Sequence, residues 1–218
     1  HKHEYLGMAL ITVLCLLVFG RNITYDVFSI DIPKMIFNNP HIMTGLSWDN
    51  IWWAFTEPNL ALYQPLLNIM HMMEGSHFGN WPGGFHVVTL LSHIACMCLF
   101  LWVMTRLLQN FAVAFAASLV MCIHPVQILV VSQIATRGEI LQAFFMLLSV
   151  DAYRRYVQKS SSGAYVFSIA FMFVGMLFKQ TIIMLPFALL LLDYWPLKRI
   201  DISFSEFKKT TQTALHLI

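Results

Sequence analysis

Apolar runs about as long as a membrane-spanning helix recur along this chain, separated by short polar segments. A spanning helix needs about 20 mostly apolar residues, with a range of roughly 17–25. The pattern predicts six such helices, the first slightly short, and the start of a seventh. The predicted spans are residues 5–20, 85–107, 112–132, 140–156, 164–178 and 181–194, with the seventh beginning at 212–218. The sequence therefore predicts an all-α, multi-pass integral membrane helical bundle that forms a single membrane domain over residues 1–218.

A long polar and aromatic segment, residues 21–83, separates the first two spans. Ser47 precedes an aromatic-rich stretch at residues 48–56, and Ser is a favoured N-cap residue, so we expect a short helix there. A second amphipathic stretch follows at residues 63–78. Because Trp and Tyr favour the membrane–water interface, both stretches are predicted to be interfacial helices that lie along the membrane surface.

Composition excludes a soluble domain. Hydrophobic residues make up 58% of the chain and charged residues 11%, and the mean hydropathy is +0.68, whereas a soluble domain carries about 25% charged residues. The net charge of +2 gives no electrostatic footprint for a nucleic acid, so membrane lipids are the expected surroundings. All four cysteines lie in apolar runs, are interpreted as small hydrophobic residues and suggest no metal site: Cys15, Cys96, Cys98 and Cys122.

The distribution of Lys and Arg predicts the orientation, because these residues are enriched in cytoplasmic loops. With a cytoplasmic N-terminus and six alternating spans, nine of the thirteen basic residues fall on the cytoplasmic side. Those nine are Lys2, Arg106, Arg154, Arg155, Lys159, Lys198, Arg199, Lys208 and Lys209; the other four are Arg21, Lys34, Arg137 and Lys179. The segment at residues 21–83 is therefore predicted to be extracytoplasmic.

This topology gathers many polar side chains at the extracytoplasmic ends of the spans. They are Asp26, Asp31, His71, Glu74, His77, His86, His124, Arg137, Glu139, Lys179 and Gln180. Ionisable groups near a bilayer tend to face a cavity or one another, so their convergence predicts a polar cavity open to the exterior. The alternative is that helix ends carry polar residues in any membrane protein.

Several pairs of polar residues have spacings that predict contacts within one helix. His86 and His93 lie seven residues apart on one helical face, which favours packing over metal binding. His71 and Glu74 can share a proton or a metal ion, with solvation at the interface as the alternative. Two ion pairs are also expected: Arg137 with Glu139, and Asp151 with Arg154 or Arg155.

A series of short motifs resembles the membrane region of the transmembrane and tetratricopeptide-repeat proteins and their bacterial relatives, which belong to the glycosyltransferase-C-like superfamily. The resemblance runs from Tyr5 to about Arg199, without the repeats. The motifs are Asp31-Ile32-Pro33, Asn38–Ile42, Gly45–Asn50, Trp53–Thr56, Tyr63–Leu66, His71 with Glu74, Phe78-Gly79, Gly84–His86 with His93, His124-Pro125, Arg137–Glu139, Lys179–Thr181, Leu185-Pro186 and Leu191–Leu197.

The resemblance implies transfer of a sugar from a polyprenyl-phosphate donor to an acceptor on the extracytoplasmic side. An acid in the first outer loop is then the expected catalytic base, because the attacking hydroxyl must lose its proton. On this reading Asp31 is the base, and Arg137 and Lys179 bind the donor phosphate. The remaining candidates are the supporting acids Asp26, Glu74 and Glu139, and the site-shaping residues His71, His86, His124 and Gln180.

The chain also departs from the family pattern. Ile32 stands where the family usually shows a second acid beside Asp31, Leu129 stands where a further acid commonly follows the His124-Pro125 motif, and Thr89 replaces an Asn. The need for a divalent cation stays open, because Ile32 removes one candidate ligand; no other cofactor is identified.

Two hypotheses follow from these matches and departures. The first is a glycosyltransferase-C-like enzyme. The second is a catalytically degenerate relative that acts as an accessory subunit beside other membrane proteins of a larger complex. A transporter ranks third, because no pair of broken helices is evident. The shared Asp193–Pro196 block favours a bacterial inner membrane.

Overall fold

In the computed structural model, residues 2–26, 32–197 and 199 are described, and these residues form helices and turns without a β-strand. The α-helices are α1 Lys2–Phe19, α2 Pro40–Met43, α3 Trp48–Thr56, α4 Pro65–Phe78, α5 Pro82–Leu108, α6 Phe111–Ile123, α7 Pro125–Ser132, α8 Arg137–Lys159, α9 Ser162–Phe178 and α10 Leu185–Tyr194. Short 3₁₀ segments at Gly20–Thr24, Ile134–Thr136 and Gln180–Met184 and a π-helical turn at Pro33–Phe37 connect them.

The long helices alternate in direction, and contacts at both ends fix this arrangement. At one end, here named the upper end, the Asn22 amide donates to the Ser132 hydroxyl (3.1 Å), and Gly83 packs against the Ile23 carbonyl. At the opposite, lower end, Arg106 forms an ion pair with Glu4 (3.2 Å). The predicted topology places the upper end outside the cytoplasm.

Two helices are long and apolar enough to cross a membrane, and a third crossing exists if one bent helix pair counts as a single span. They are Lys2–Thr24, Pro82–Leu108 and the pair α6 and α7, so the first three predicted spans have counterparts. The predicted spans at 140–156, 164–178 and 181–194 correspond to α8, to α9 and to Gln180–Tyr194; the last two are apolar but shorter. Six to seven spans therefore stay a prediction, and residues 212–218 lie outside the described part.

The third predicted span was expected to be one helix, which is wrong. Helices α6 and α7 meet at a bend of 58°. Pro125 is the first residue of α7, and a proline there removes a backbone donor and clashes with the preceding turn. The Nδ1 atom of His124 accepts a hydrogen bond from the Val126 amide (3.3 Å) and caps the new helix. The break places His124 at a bend rather than inside a span.

The first short helix of the outer segment is present as predicted. The Ser47 hydroxyl accepts a hydrogen bond from the Asn50 amide (3.1 Å) at the start of α3. Trp48 is 82% exposed and Trp52 is 73% exposed, so the helix presents an aromatic face outward from the bundle. Such a face suits the membrane interface, and its position there remains a prediction.

The second amphipathic stretch was predicted to lie along the surface, but α4 is largely buried. Leu67, His71, Met72 and Glu74 are each at most 6% exposed. The helix contacts α2, α3, α5 and α9, and its polar side chains bond to partners inside the protein. Helix α4 is therefore buried because other helices pack around it. The pattern of apolar residues along its own sequence does not show this.

Two apolar clusters form the core. The larger one joins α1, α5, α6, α7 and α8 in the middle of the bundle. The smaller one lies at the upper end and contains Ile32, Met35, Ile36, Met72 and Phe85, with other apolar residues. This smaller cluster, named the upper apolar cluster below, holds the helical segments of residues 32–78 against the start of α5.

Candidate functional site

A buried ion pair between Glu74 and Arg137 forms the centre of the upper end. Arg137 is completely buried, and its Nη1 donates to Glu74 Oε1. Its Nε donates to the Thr89 hydroxyl (3.0 Å) and its Nη2 to the Phe85 carbonyl (3.1 Å). The second carboxylate oxygen of Glu74 bonds to His71 Nδ1 (3.1 Å). Glu74, Arg137, His71 and Thr89 are named the upper cluster below.

Three helices position the upper cluster. His71 and Glu74 lie at i and i+3 of α4, so both face the same direction. Thr89 lies one turn after Phe85 near the start of α5, and its hydroxyl donates to the Phe85 carbonyl (2.9 Å) while it accepts from Arg137. Arg137 is the first residue of α8. The cluster therefore ties α4, α5 and α8 together at one point.

The surroundings set the protonation states of the cluster. Burial alone would raise the pKa of the Glu74 carboxyl, but the His71 hydrogen bond and the Arg137 charge together lower it below its ordinary value. Burial lowers the pKa of His71 below its ordinary value. A neutral His71 that carries its proton on Nδ1 then donates to a charged Glu74. The cluster is therefore a carboxylate held between one cation and one neutral donor.

Several buried polar atoms near the upper cluster have no hydrogen-bond partner among the described residues. They are His71 Nε2, both ring nitrogens of His86, Gln64 Oε1 and Asn68 Nδ2. Gln64, Asn68 and His71 follow one another along one face of α4. Buried donors and acceptors in native proteins are satisfied by protein, water or ligand. This face is thus where a polar ligand or water would find partners.

A network of asparagines joins α4 to the preceding segment. The Asn59 amide donates to the Met35 carbonyl (3.0 Å) and to Asn68 Oδ1 (3.2 Å). Asn39 in turn donates to Asn59 Oδ1 (3.4 Å). Sequence reasoning missed Asn59 and Asn68, since a single polar residue in a loop or helix carries no signal of such contacts.

A second ion pair lies close by, between Glu139 and Lys179. The expected pairing of Arg137 with Glu139 is wrong, because Arg137 points into the bundle and Glu139 pairs with the residue that follows α9. A Cβ atom on Gly138 would lie 3.0 Å from the Phe178 carbonyl, so this glycine allows the close approach of α8 and α9. The Lys179 side chain is 28% exposed and that of Glu139 is 42% exposed. This pair is open to solvent or ligand, unlike the upper cluster.

The other predicted site residues are dispersed. Asp26, His124 and Gln180 are exposed and belong to the ends of three separate helical segments. Asp31, the expected base, lies outside the described residues. Its neighbour Ile32 is 2% exposed and packs in the upper apolar cluster. The described candidates that come together are therefore His71, Glu74 and Arg137, with Glu139 and Lys179 alongside.

A cavity of about 280 Å³ opens at the upper end, beside the turn between α4 and α5. Its lining comprises Pro33, Phe37, Asn38, Asn80 and Pro82. Phe37 contacts Phe85 edge to face (5.2 Å between ring centroids), and the Phe85 carbonyl accepts from Arg137. Phe37 and Phe85 therefore connect this cavity to the upper cluster through a chain of contacts.

One group of potential metal ligands exists among the described residues, and it lies between α1, α5 and α6. Cys15, His93 and Cys122 place their ligand atoms within 4.8 Å of one another. His93 lies one helical turn below Thr89 on α5. Sequence reasoning missed this group because its members come from three separate apolar runs.

Comparison with known proteins gives the family. The sequence profile of a family described as dolichyl-phosphate-mannose-protein mannosyltransferase matches residues 78–216. Two curated relatives named protein O-mannosyl-transferase TMTC1, from Homo sapiens and Mus musculus, are each 24% identical over 164 residues, which is 71% of this chain. The chain spans 18% and 17% of the length of these relatives. No solved structure matches.

These matches support the predicted resemblance to a glycosyltransferase-C-like membrane region. They do not show the predicted relation to the proteins with tetratricopeptide repeats. Both relatives are mammalian, so the predicted bacterial inner membrane gains no support from them. The apolar helices and the family together identify an integral membrane protein. Because the family profile covers well over half of the sequence, the chain belongs to the dolichyl-phosphate-mannose-protein mannosyltransferase family.

Proposed function

We propose that this chain forms part of a membrane enzyme that transfers mannose from a polyprenyl-phosphate donor to a protein hydroxyl on the extracytoplasmic side. The observation that carries the proposal is the family match over residues 78–216. The names of the two relatives supply the protein acceptor and the O-linkage. The donor, the acceptor and the sidedness are part of the proposal.

Asp31 is the proposed general base. An acceptor hydroxyl must lose its proton as the glycosidic bond forms, and a carboxylate within hydrogen-bond reach can take it. The bond between the sugar anomeric carbon and the donor phosphate oxygen breaks, and the lipid phosphate leaves with its negative charge. Asp26 is a supporting acid in this proposal, since it lies on the same segment and is exposed.

Lys179 is better placed than Arg137 to meet the donor phosphate. Its ammonium group is partly exposed and has one described partner, Glu139. A phosphate could take the place of that carboxylate, and the cation would offset the charge on the departing lipid. Arg137 is fully buried, with Glu74, Thr89 and a backbone carbonyl as partners. We therefore assign Arg137 a positioning role, with Glu74 and His71.

The catalytically degenerate accessory subunit remains a second candidate, and one observation favours it. Ile32 occupies the place of the family's second acid and lies in the upper apolar cluster. A carboxylate at this position would be buried among apolar side chains, at a considerable cost in free energy. The surroundings have thus adapted to an apolar residue, which suits an accessory role or a reaction with one acid.

The test is a transfer assay on the purified full-length protein in lipid vesicles. Polyprenyl-phosphate mannose with a labelled sugar is supplied, and label on an acceptor protein is measured after the lipid is extracted. The enzyme hypothesis expects label that depends on the donor and is lost in Asp31→Asn, while the matched change Asp49→Asn, at an exposed acid of the same outer segment, retains most of the transfer. Absence of transfer with every donor sugar tested, together with stable association with another membrane protein, would establish the accessory role instead.

A further inference from the structure

Two cysteines and one histidine from three spanning helices meet in the middle of the bundle. Cys15 lies on α1, His93 on α5 and Cys122 on α6, and their ligand atoms are all within 4.8 Å of one another. The sulfur atoms of the two cysteines are 3.2 Å apart, and both thiols are free. All three residues are at most 1% exposed. This group is named the Cys₂His cluster below.

The antiparallel packing of the helices brings these residues to one depth. Cys15 lies roughly 20 Å along α1 from the lower end, and Cys122 lies roughly 16 Å along α6 from the same end. His93 lies roughly 16 Å along α5 from the upper end. Their meeting therefore follows from the long contacts of α5 with α1 and α6.

His93 is the second observation that points to a ligand. Its Nε2 atom is buried and has no hydrogen-bond partner among the described residues. The edge-to-face contact with Phe19 (5.2 Å between ring centroids) restrains the imidazole ring. An unpaired imidazole nitrogen in an apolar, lipid-surrounded bundle is costly unless something binds it. Two adjacent thiols beside this imidazole ring are the donor set that thiophilic metal ions prefer.

We infer that the Cys₂His cluster binds a zinc ion that links α1, α5 and α6. Two thiolates, a neutral imidazole and Zn²⁺ add up to a site without net charge, which suits a low-dielectric interior, whereas Cu⁺ would leave one negative charge. Both thiols release their protons on binding. Zn–S bonds of about 2.3 Å in a tetrahedral site separate the sulfurs by about 3.8 Å, so the two cysteines move apart by roughly half an ångström.

A cavity adjoins the Cys₂His cluster on the side of His93 and offers room for a fourth ligand. His93 lines a cavity of about 200 Å³ together with Met97, Met121, Gln127 and Glu139. This volume accommodates a water molecule as the fourth zinc ligand. Glu139 lies at the upper end of the same cavity, so an ion entering there would meet a carboxylate before it reaches the thiols.

Zinc binding would stabilise the break between α6 and α7. Cys122 lies two residues before His124, where the chain bends by 58°. A bond from Cys122 to an ion that α1 and α5 also hold would fix the end of α6 and hence the direction of α7. The site is therefore structural, and it is independent of the proposed transfer reaction.

The experiment measures the metal content of the full-length protein, purified in mild detergent without chelators, by plasma mass spectrometry. We expect about one zinc per chain, falling at least tenfold in Cys15→Ser, Cys122→Ser and His93→Gln. Cys98→Ser is the matched control, since Cys98 is a free cysteine on α5 that belongs neither to the cluster nor to the cavity lining, and its sulfur contacts the Thr12 hydroxyl and the Met8 carbonyl; this variant should retain the zinc. Monodisperse elution on size exclusion shows which variants are folded.

A second measurement on the wild type removes the dependence on variants. Replacement of the bound ion by Co²⁺ should produce the charge-transfer absorption of thiolate–cobalt bonds, and added zinc should abolish it. Equal zinc in Cys15→Ser and the wild type, absence of both zinc and the cobalt signal, or a Cys15–Cys122 disulfide in the native protein would each overturn the inference. Stoichiometric copper instead of zinc would overturn the assignment of the ion. All these readouts are independent of mannose transfer.

Discussion

The two ends of the bundle both bury an acid against arginine, but in different ways. At the upper end Glu74 pairs with Arg137, which is 63 residues away and fully buried. At the lower end Asp151 pairs with Arg154 (2.7 Å) and Arg155 (2.6 Å) on its own helix. The lower pairs keep contact with solvent through the arginines, of which Arg155 is 52% exposed.

This difference determines what each set of contacts does. The upper cluster depends on α4, α5 and α8 being in place, so its contacts define tertiary structure. The lower pairs form within a single helix and need no other element. Breaking the upper cluster should therefore affect the whole fold, whereas breaking a lower pair should have a small local effect.

The largest expected effect is that of Arg137→Met. The substitution leaves the Glu74 carboxylate buried without its cation, and breaking a buried pair costs about 3–5 kcal/mol. Thermal unfolding of the purified protein in mild detergent measures the loss. Arg137→Met combined with Glu74→Leu should restore much of the stability, because both buried charges are then absent. Equal stability of Arg137→Met and wild type would show that the pair is not buried as described.

A smaller effect should follow from crowding at the upper end. In Gly83→Ala the new Cβ atom would lie 2.7 Å from the Ile23 carbonyl and the Trp81 ring, so the backbone must shift. Such overpacking costs about 1–3 kcal/mol. Gly163→Ala at the lower end is the matched control, since its nearest neighbour is the Ser161 hydroxyl at 3.9 Å. Alanine there should leave stability unchanged or raise it, because alanine favours helix. The same direction in both variants would contradict the comparison.

Lowering the pH should reduce the stability of the folded protein through His71. Burial lowers the pKa of folded His71 below its ordinary value of 6.5, so the unfolded chain takes up a proton first. The contribution of His71 to stability is complete above about pH 6.5 and is lost as the pH falls below it. Unfolding temperatures of wild type and His71→Gln between pH 8 and pH 5 measure the difference. A gap between the two that does not change with pH would contradict this account.

Glu74 should also reduce the stability of the folded protein as the pH falls, but in a lower pH range than His71. Its carboxyl has a lowered pKa in the folded protein, so its contribution is present above its ordinary value of 4.5 and is lost as the pH falls through the lowered pKa. In Glu74→Gln the loss of stability that Glu74 causes at low pH should disappear, while the loss that His71 causes above pH 5 remains.

The smallest effect is expected for Arg155→Met at the lower end. Asp151 keeps its bond to Arg154, and partly exposed ion pairs contribute about 0–1 kcal/mol. The unfolding temperature should hardly change. A loss as large as that of Arg137→Met would erase the distinction between the two ends.

The same distinction explains what could be predicted from the sequence. The pairing of Asp151 with Arg154 and Arg155 and the Ser47 cap follow from spacing within one helix, and both predictions are confirmed. The pairing of Glu74 with Arg137 was not predicted, because nothing in a single sequence links residues so far apart. The positions of the first three spans followed from hydropathy, which reports a local property.

The wrong predictions have physical reasons too. Helix α4 was placed on the surface because its aromatic start and mixed polarity resemble an interfacial helix, whereas Arg137 of α8 and Asn59 of the preceding segment bond to its polar side chains inside the protein. The single span over residues 112–132 ignored Pro125, which bends the chain there. The Cys₂His cluster was missed because each of its members is an ordinary residue in its own apolar run.

The measurement that tests the central claim most directly compares Asp31, the proposed base, with Asp151 of the lower end in the mannose transfer assay. Asp31→Asn and Asp151→Asn, in equal amounts of folded full-length protein, are supplied with polyprenyl-phosphate mannose and an acceptor protein. We predict that Asp31→Asn lowers transfer by about 10²–10⁴-fold, the contribution of a general base, while Asp151→Asn transfers at nearly the wild-type rate. Wild-type rates in Asp31→Asn, or equal losses in both variants, would contradict the assignment of the general base to Asp31.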